Sequence, residues 1–216
     1  MSTLARGSSR MVKNLGIAGA GLVLIVAMLA STKFLTPAEA AALNPAEFSV
    51  QSYAEENFPK VVATLTEKAT DLAVLAPAVA ADPVAAGEQY GTDIGSGKFA
   101  YAVKATGTVA EVNADFMILT VPGVPPGATV RIPLAAAVSG TPVRDAPGTI
   151  KFSDFVGQTD FQSVANEFKL KVQSEVIAPS NPPSLLGKQI SVVGAWSSGG
   201  PPNSYIIQPV SIETGA

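Results

Sequence analysis

Five runs of β-forming residues, interrupted once by a helix, restrict what this chain can fold into more than any other feature. Residues 99–113 and 116–121 are rich in β-branched and aromatic side chains and are separated by Ala114-Asp115, which reads as a hairpin, with Gly107 marking a bulge or bend in the first run. A Pro/Gly loop at 122–127 leads to a third run at 129–134. A helix comes next: Thr159 with Gln162 three positions on forms a capping box. Phe161, Val164, Ala165, Phe168, Val172 and Val176 give it one apolar face, and Pro179 ends it. Two more strands, 189–196 and 205–213, are joined by a flexible loop at 197–203. Three strands, a helix and two strands is the order of an oligonucleotide/oligosaccharide-binding (OB) barrel, in which the helix plugs one end.

The residues ahead of the strands are of another kind. From 44 to 91 the chain is alanine-rich, and Val61, Val62, Leu65, Ala69, Leu72 and Leu75 recur at three- and four-residue steps as one helical stripe. Asn57 is the expected cap, with Pro59 in the first turn and Pro77 ending or kinking the helix. Asp82-Pro83 restarts a short helix, which Gly91 closes in the left-handed conformation, and residues 91–98 form a hinge to the strands. The expected fold is therefore α+β: a five-stranded OB-like β-barrel at 99–213 with a helix inserted between strands 3 and 4, preceded by a helical segment at 44–91.

Residues 1–40 form an export signal. Arg6, Arg10 and Lys13 precede an uncharged apolar run at 15–30, the layout of a signal peptide or signal anchor. Positive charge stays in the cytoplasm, so the chain beyond the apolar run is extracytoplasmic. Two outcomes are open. Residues about 15–35 tether the protein to the membrane, or cleavage near Ala40, where small residues recur, releases it.

The chain contains no histidine and no cysteine. A Ser/His/Asp triad, a cysteine nucleophile, a zinc cluster and an imidazole base are thereby excluded, and no thiol is available for a lipid anchor. Without residues 1–40, ten Lys and Arg face sixteen Asp and Glu, a formal charge of −6. Such a composition makes a basic, phosphate-neutralising surface hard to assemble, so nucleic acid is not an expected partner. Asp93, Asp115 and Asp145 are too scattered to argue a metal site, and no cofactor is implied.

Several stretches resemble an uncharacterised bacterial family of predicted periplasmic lipoproteins. The most specific are Gly140-Thr141-Pro142-Val143-Arg144-Asp145, Ile150-Lys151-Phe152-Ser153-Asp154-Phe155 and Gly157-Gln158 with the helix after it. Asn57-Phe58-Pro59-Lys60, Glu88-Gln89-Tyr90-Gly91 and Gly187-Lys188 support them, so that the likeness runs from about Phe48 to Ile212. The resemblance implies an exported, membrane-associated protein without an assigned activity, often encoded near sugar ABC-transporter components. The chain departs from it by lacking the lipoprotein cysteine, and by Gly157, where members often have asparagine.

Arg144 beside Asp145 is the first candidate site, because a guanidinium presents a planar fork of donors to a carboxylate, phosphate or sugar hydroxyls; Gln158 adds an amide if its loop folds back. The alternative is a clamp that fastens the connection between strands three and four. Trp196 and Tyr205 flank the 197–203 loop at the barrel mouth, where they either stack on sugar rings or pack in the core. Asp154 and Asp160 stand in the near-repeat Ser-Asp-Phe/Thr-Asp-Phe; a carboxylate pair suits a glycosidase, but two helix starts explain the repeat as well. The expected function is a non-catalytic accessory or binding module linked to sugar ABC-transport, with transporter components or a small carbohydrate as partner. The alternatives are a carboxylate-based carbohydrate-processing enzyme and a purely structural envelope protein.

Overall fold

A computed structural model of the chain describes residues 48–215 without interruption and, ahead of them, 23–28, 30–32, 36 and 39. The chain divides into two units, Met1–Phe48 and Ser49–Ala216. In the first, 23–28 are helical and Val23, Leu24 and Met28 are exposed. No helix among the described residues is long and apolar enough to cross a membrane, and the tether expected at about 15–35 and the cleavage site near Ala40 lie largely outside those residues.

The second unit opens with helix α1 (Val50–Lys68). Its cap is Ser49, whose side chain accepts from the Ser52 N–H, so the helix begins well before the expected cap at Asn57. Asn57 lies inside it and donates to the Tyr53 carbonyl at 2.9 Å, and Pro59 is an interior residue. Burial overrides local preference: Ala54, Phe58, Val61 and Leu65 all face the core. The apolar stripe expected to run on through Leu75 is broken by β1 (Thr70–Asp71), which pairs in parallel with Val103 and Lys104. Asp71 then caps α2 (Leu72–Ala81), which carries Pro77 within it, and Asp82 caps α3 (Pro83–Tyr90) through the N–H groups of Val84 and Ala85. Gly91 closes α3 as expected, but in extended backbone (φ −109°), and a Cβ there would press on Gly87 O and on the Phe99 and Tyr101 side chains. The expected hinge is instead β2 (Gly91–Gly95), which forms a hairpin with β3 (Lys98–Val112) through a Gly95-Ser96-Gly97 turn, all three at positive φ. Helices and strands share one core.

The barrel is built on β3. On one side it pairs with β6 (Gln189–Ser197), on the other first with β2 and then with β4 (Phe116–Thr120), which pairs with β5 (Thr129–Pro133). The Asn113 carboxamide shapes the β3–β4 turn by accepting from the N–H groups of Asp115 and Phe116. The bulge falls between Val109 and Glu111 and not at Gly107, which is kept side-chain-free because the Thr120 carbonyl passes over it. The fifth strand comes in two pieces, β7 (Ser204–Ile206) and β8 (Gln208–Thr214). β7 runs parallel to β5, Ile207 donates to the Arg131 carbonyl at 2.9 Å, and β8 then pairs antiparallel with β6. One chain segment thus joins the two ends of the sheet, which rolls nearly shut as an OB-type barrel. The strand count exceeds the expected five because that segment is split and because β1 and β2 add to β3.

Between β5 and β6 lie α4 (Thr141–Asp145) and α5 (Gln158–Lys171). The cap of α5 is Gly157, without a side-chain bond, so Thr159 sits inside the helix and the expected capping box does not form. Past Lys171 the helix widens into a π turn, Val172–Ile177, before ending beyond Pro179 at Asn181, which is left-handed (φ 48°). The wide turn moves the apolar face by one residue: Ile177 is buried where Val176 was expected. α5 packs on α1, Phe58 against Phe168 at 5.6 Å, and on α4, and the π turn lies on β8, so the inserted helix covers the barrel jointly with α1.

Candidate functional site

The α4–α5 contact positions Arg144. The two helices approach so closely that a Cβ on Gly140 would collide with the Ala165 carbonyl. Arg144 is buried, and its guanidinium is occupied on three sides. Nε donates to Asp145 Oδ1 at 2.7 Å, Nη2 to Asp145 Oδ2 at 3.2 Å, and Nη1 to the Phe161 carbonyl at 2.9 Å. The charge lies 3.5 Å from the centroid of the Phe161 ring. A bidentate carboxylate, a helix carbonyl and an aromatic face are what a structural clamp needs. The pair nonetheless borders a cleft of about 460 Å³, with Asp93, Ile94, Lys151 and Phe152 on its other walls. Gln158 is exposed at the start of α5 and does not line this cleft, so the structure does not bring it to Arg144.

A second cleft, of about 530 Å³, lies under the 197–203 loop. Val79, Ala80 and Pro83 of the α2–α3 corner form one wall, residues 198–204 the other, and Trp196 and Tyr205 the floor. Cross-strand register brings the aromatics together: Tyr101 opposes Trp196 on β3 and β6, while Tyr205 faces Val130 of β5. Tyr101 stacks on Trp196 at 5.0 Å and 19°, and Trp196 meets Tyr205 at 5.0 Å and 55°. Both sequence candidates are mostly buried, 8% and 2% exposed, so little of either ring is open for stacking. The Tyr205 hydroxyl donates to the Ala76 carbonyl at 3.3 Å, which ties β7 to α2. Burial pushes the phenols of Tyr101 and Tyr205 above their ordinary range.

The two acidic residues of the near-repeat do local work. Asp154 accepts from the Lys151 N–H at 2.9 Å and closes a short 3₁₀ turn, and Asp160 stands in the first turn of α5, where the helix dipole favours an acid. No cluster of three or more metal-ligating side chains occurs among the described residues.

Residues 22–213 match the family described as predicted periplasmic lipoprotein (DUF2291), nearly the whole of the exported part. The chain belongs to this family. Its members' description supports an extracytoplasmic location, and the present member differs from a lipoprotein in having no cysteine to acylate. No curated protein matches. Among solved structures, the chain is similar to an OB-fold protein from Thermotoga maritima, at 20% identity and a TM-score of 0.63, over 78% of this chain and 99% of that one. That likeness establishes the fold of this family member and says nothing of a ligand.

Sequence reasoning missed two contributors. Phe161, read only as an apolar-face residue, supplies both a carbonyl and a ring to Arg144; the signal was available in its place one turn into a helix that comes after an Arg-Asp pair. The α2–α3 corner, Val79 to Pro83, forms a wall of the 197–203 cleft from more than a hundred residues away, and no local pattern carries such a contact.

Proposed function

We propose that this protein is a non-catalytic binding module of the cell envelope, serving sugar uptake by holding a neutral carbohydrate in the 197–203 cleft. The observation that carries this reading is the lining, which has no Lys, Arg, Asp or Glu. Ser198, Asn203 and Ser204 supply hydroxyl and amide groups, while Val79, Pro201, Pro202 and the open parts of Trp196 and Tyr205 supply apolar surface for the C–H face of a sugar ring. Its volume falls within the range of small-molecule sites, roughly 300–1,000 Å³. The uptake part rests on the gene neighbourhood that the family resemblance implies. A carboxylate enzyme would have to work in the Arg144 cleft. There Asp145 gives both oxygens to the guanidinium and Asp93 accepts from the Gly95 N–H through Oδ1, an arrangement that favours binding over a two-carboxylate reaction.

Calorimetric titration of the full chain with a panel of mono- and disaccharides tests the binding. Asn203 has positive φ (56°), so Asn203→Gly removes the amide without backbone strain and is expected to weaken binding about tenfold, roughly 1.4 kcal/mol. A panel without a binder leaves the structural-envelope reading. Crosslinking in cells tests the partner: recovery of a sugar-transporter subunit supports the uptake role, and repeated recovery without one removes it.

A further inference from the structure

The segment between α4 and α5 carries apolar side chains that the fold leaves in water. Val156 is 99% exposed and Phe152 55%, and Ile94 of the β2–β3 hairpin, at 36%, shares the Arg144 cleft with Phe152. The segment is not loose chain. Phe161, held under the Arg144 guanidinium, meets Phe152 edge-on at 5.6 Å and 90°, and Phe155 at 5.5 Å. Phe155 in turn meets Tyr53 of α1 at 5.2 Å and 67°. A ring framework anchored by an ion pair therefore fixes residues 152–156 while pointing Val156 and Phe152 outward. Exposed apolar groups on a rigid support mark a surface that another phase covers.

The way the chain enters this unit says which phase. Tyr53 lies in the first turn of α1, whose cap, Ser49, is the unit's first residue. Only 18 residues separate Ser49 from Ala30, where the apolar run of the export signal ends. The framework thus stands beside the first turn of the unit's first helix, close in sequence to the apolar run. The charges beside it nearly cancel, Arg144 and Lys151 against Asp93, Asp145 and Asp154, so attraction to acidic lipids is not what this surface is built for.

We propose that residues 152–156 form a membrane-interface contact, with Val156 and Phe152 inserting between lipid headgroups to hold the barrel against the bilayer. The inference rests on the tethered reading of residues 15–35. Because the tether confines the unit near the surface, a small apolar contact suffices to set its orientation. The contact orients the unit so that the Arg144 clamp serves as its support.

The absence of native cysteine makes the test direct. Full-length protein carrying Val156→Cys is labelled with an environment-sensitive fluorophore and reconstituted into vesicles of phosphatidylethanolamine and phosphatidylglycerol, with Val84→Cys on α3, an exposed site at 57%, as reference. The expected result is a blue shift at position 156 and loss of its emission on brominated lipids, with position 84 unchanged and no effect of added salt. Protein that floats with the vesicles while position 156 stays aqueous overturns the contact and leaves the tether standing. Protein that does not float overturns the tether and the contact with it. Release of the position 156 signal by salt means electrostatic adsorption and overturns apolar insertion.

Discussion

A guanidinium has five N–H donors and no acceptor, and in Arg144 three of them are engaged inside the protein while the π face rests on Phe161. With side-chain exposures of 8% and 13%, the Arg144–Asp145 pair is shielded from solvent screening. Removing one partner of such a pair leaves the other's charge without compensation, at a cost of about 3 kcal/mol. Arg144→Ala is expected to lower the unfolding free energy by that amount in urea titrations. Arg144→Lys is expected to recover only part, because an ammonium cannot fork onto a carboxylate and lie flat on a ring at once. Sugar binding in the 197–203 cleft is expected to be unchanged by either. A loss below about 1 kcal/mol for the alanine variant would mean that apolar contacts alone hold α4 to α5.

Among the elements, α1 and α5 each depart from their expected course for a packing reason. In α1 an interior proline deprives the Glu55 carbonyl of its N–H donor, and the helix persists because Phe58 and Val61 on either side of the defect are buried. Pro59 itself is exposed, so its ring contributes little packing. Pro59→Ala is expected to raise stability by about 2 kcal/mol, the interior-proline penalty less what the ring saves in the unfolded chain. A urea midpoint that falls would show that α1 needs the bend. In α5 the π turn at Val172–Ile177 lets one helix present Phe168 to α1 and Ile177 toward the barrel, a change of face that a regular 3.6-residue period does not provide.

The whole unit is held by one core that includes Tyr101 and Tyr205, with Tyr53 packed against it, and all three phenols lie above their ordinary range: Tyr101 and Tyr205 through burial, and Tyr53 through burial and then the Asp154 carboxylate. In the unfolded chain these groups ionise near pH 10. Above that value the unfolded state binds fewer protons than the folded one, so stability falls as pH rises; below it the contribution is fully present. Urea midpoints are expected to decline from about pH 10 upward, in step with tyrosinate absorbance. Tyr205→Phe is expected to flatten part of that decline, at a cost of about 1 kcal/mol for the hydrogen bond to Ala76. A decline unaltered by that substitution would assign the effect to Tyr101 and Tyr53.

By itself the sequence determined the class of the protein: an exported chain without imidazole or thiol chemistry, carrying the strand order of an OB barrel and a match to its family over residues 22–213. Those features are local, set by side-chain period, turn residues and composition. Features that depend on distant partners were not legible. The early start of α1 at Val50, the division of the last strand at Ile207 and the shift from Val176 to Ile177 each go with burial or pairing with residues far along the chain. The candidate sites show the same division. Arg144, Asp145, Trp196 and Tyr205 could be named from their types, but their roles were decided by Phe161 and by the α2–α3 corner. A side chain's chemistry is fixed by its own atoms, whereas its exposure and partners are fixed only when the chain closes on itself.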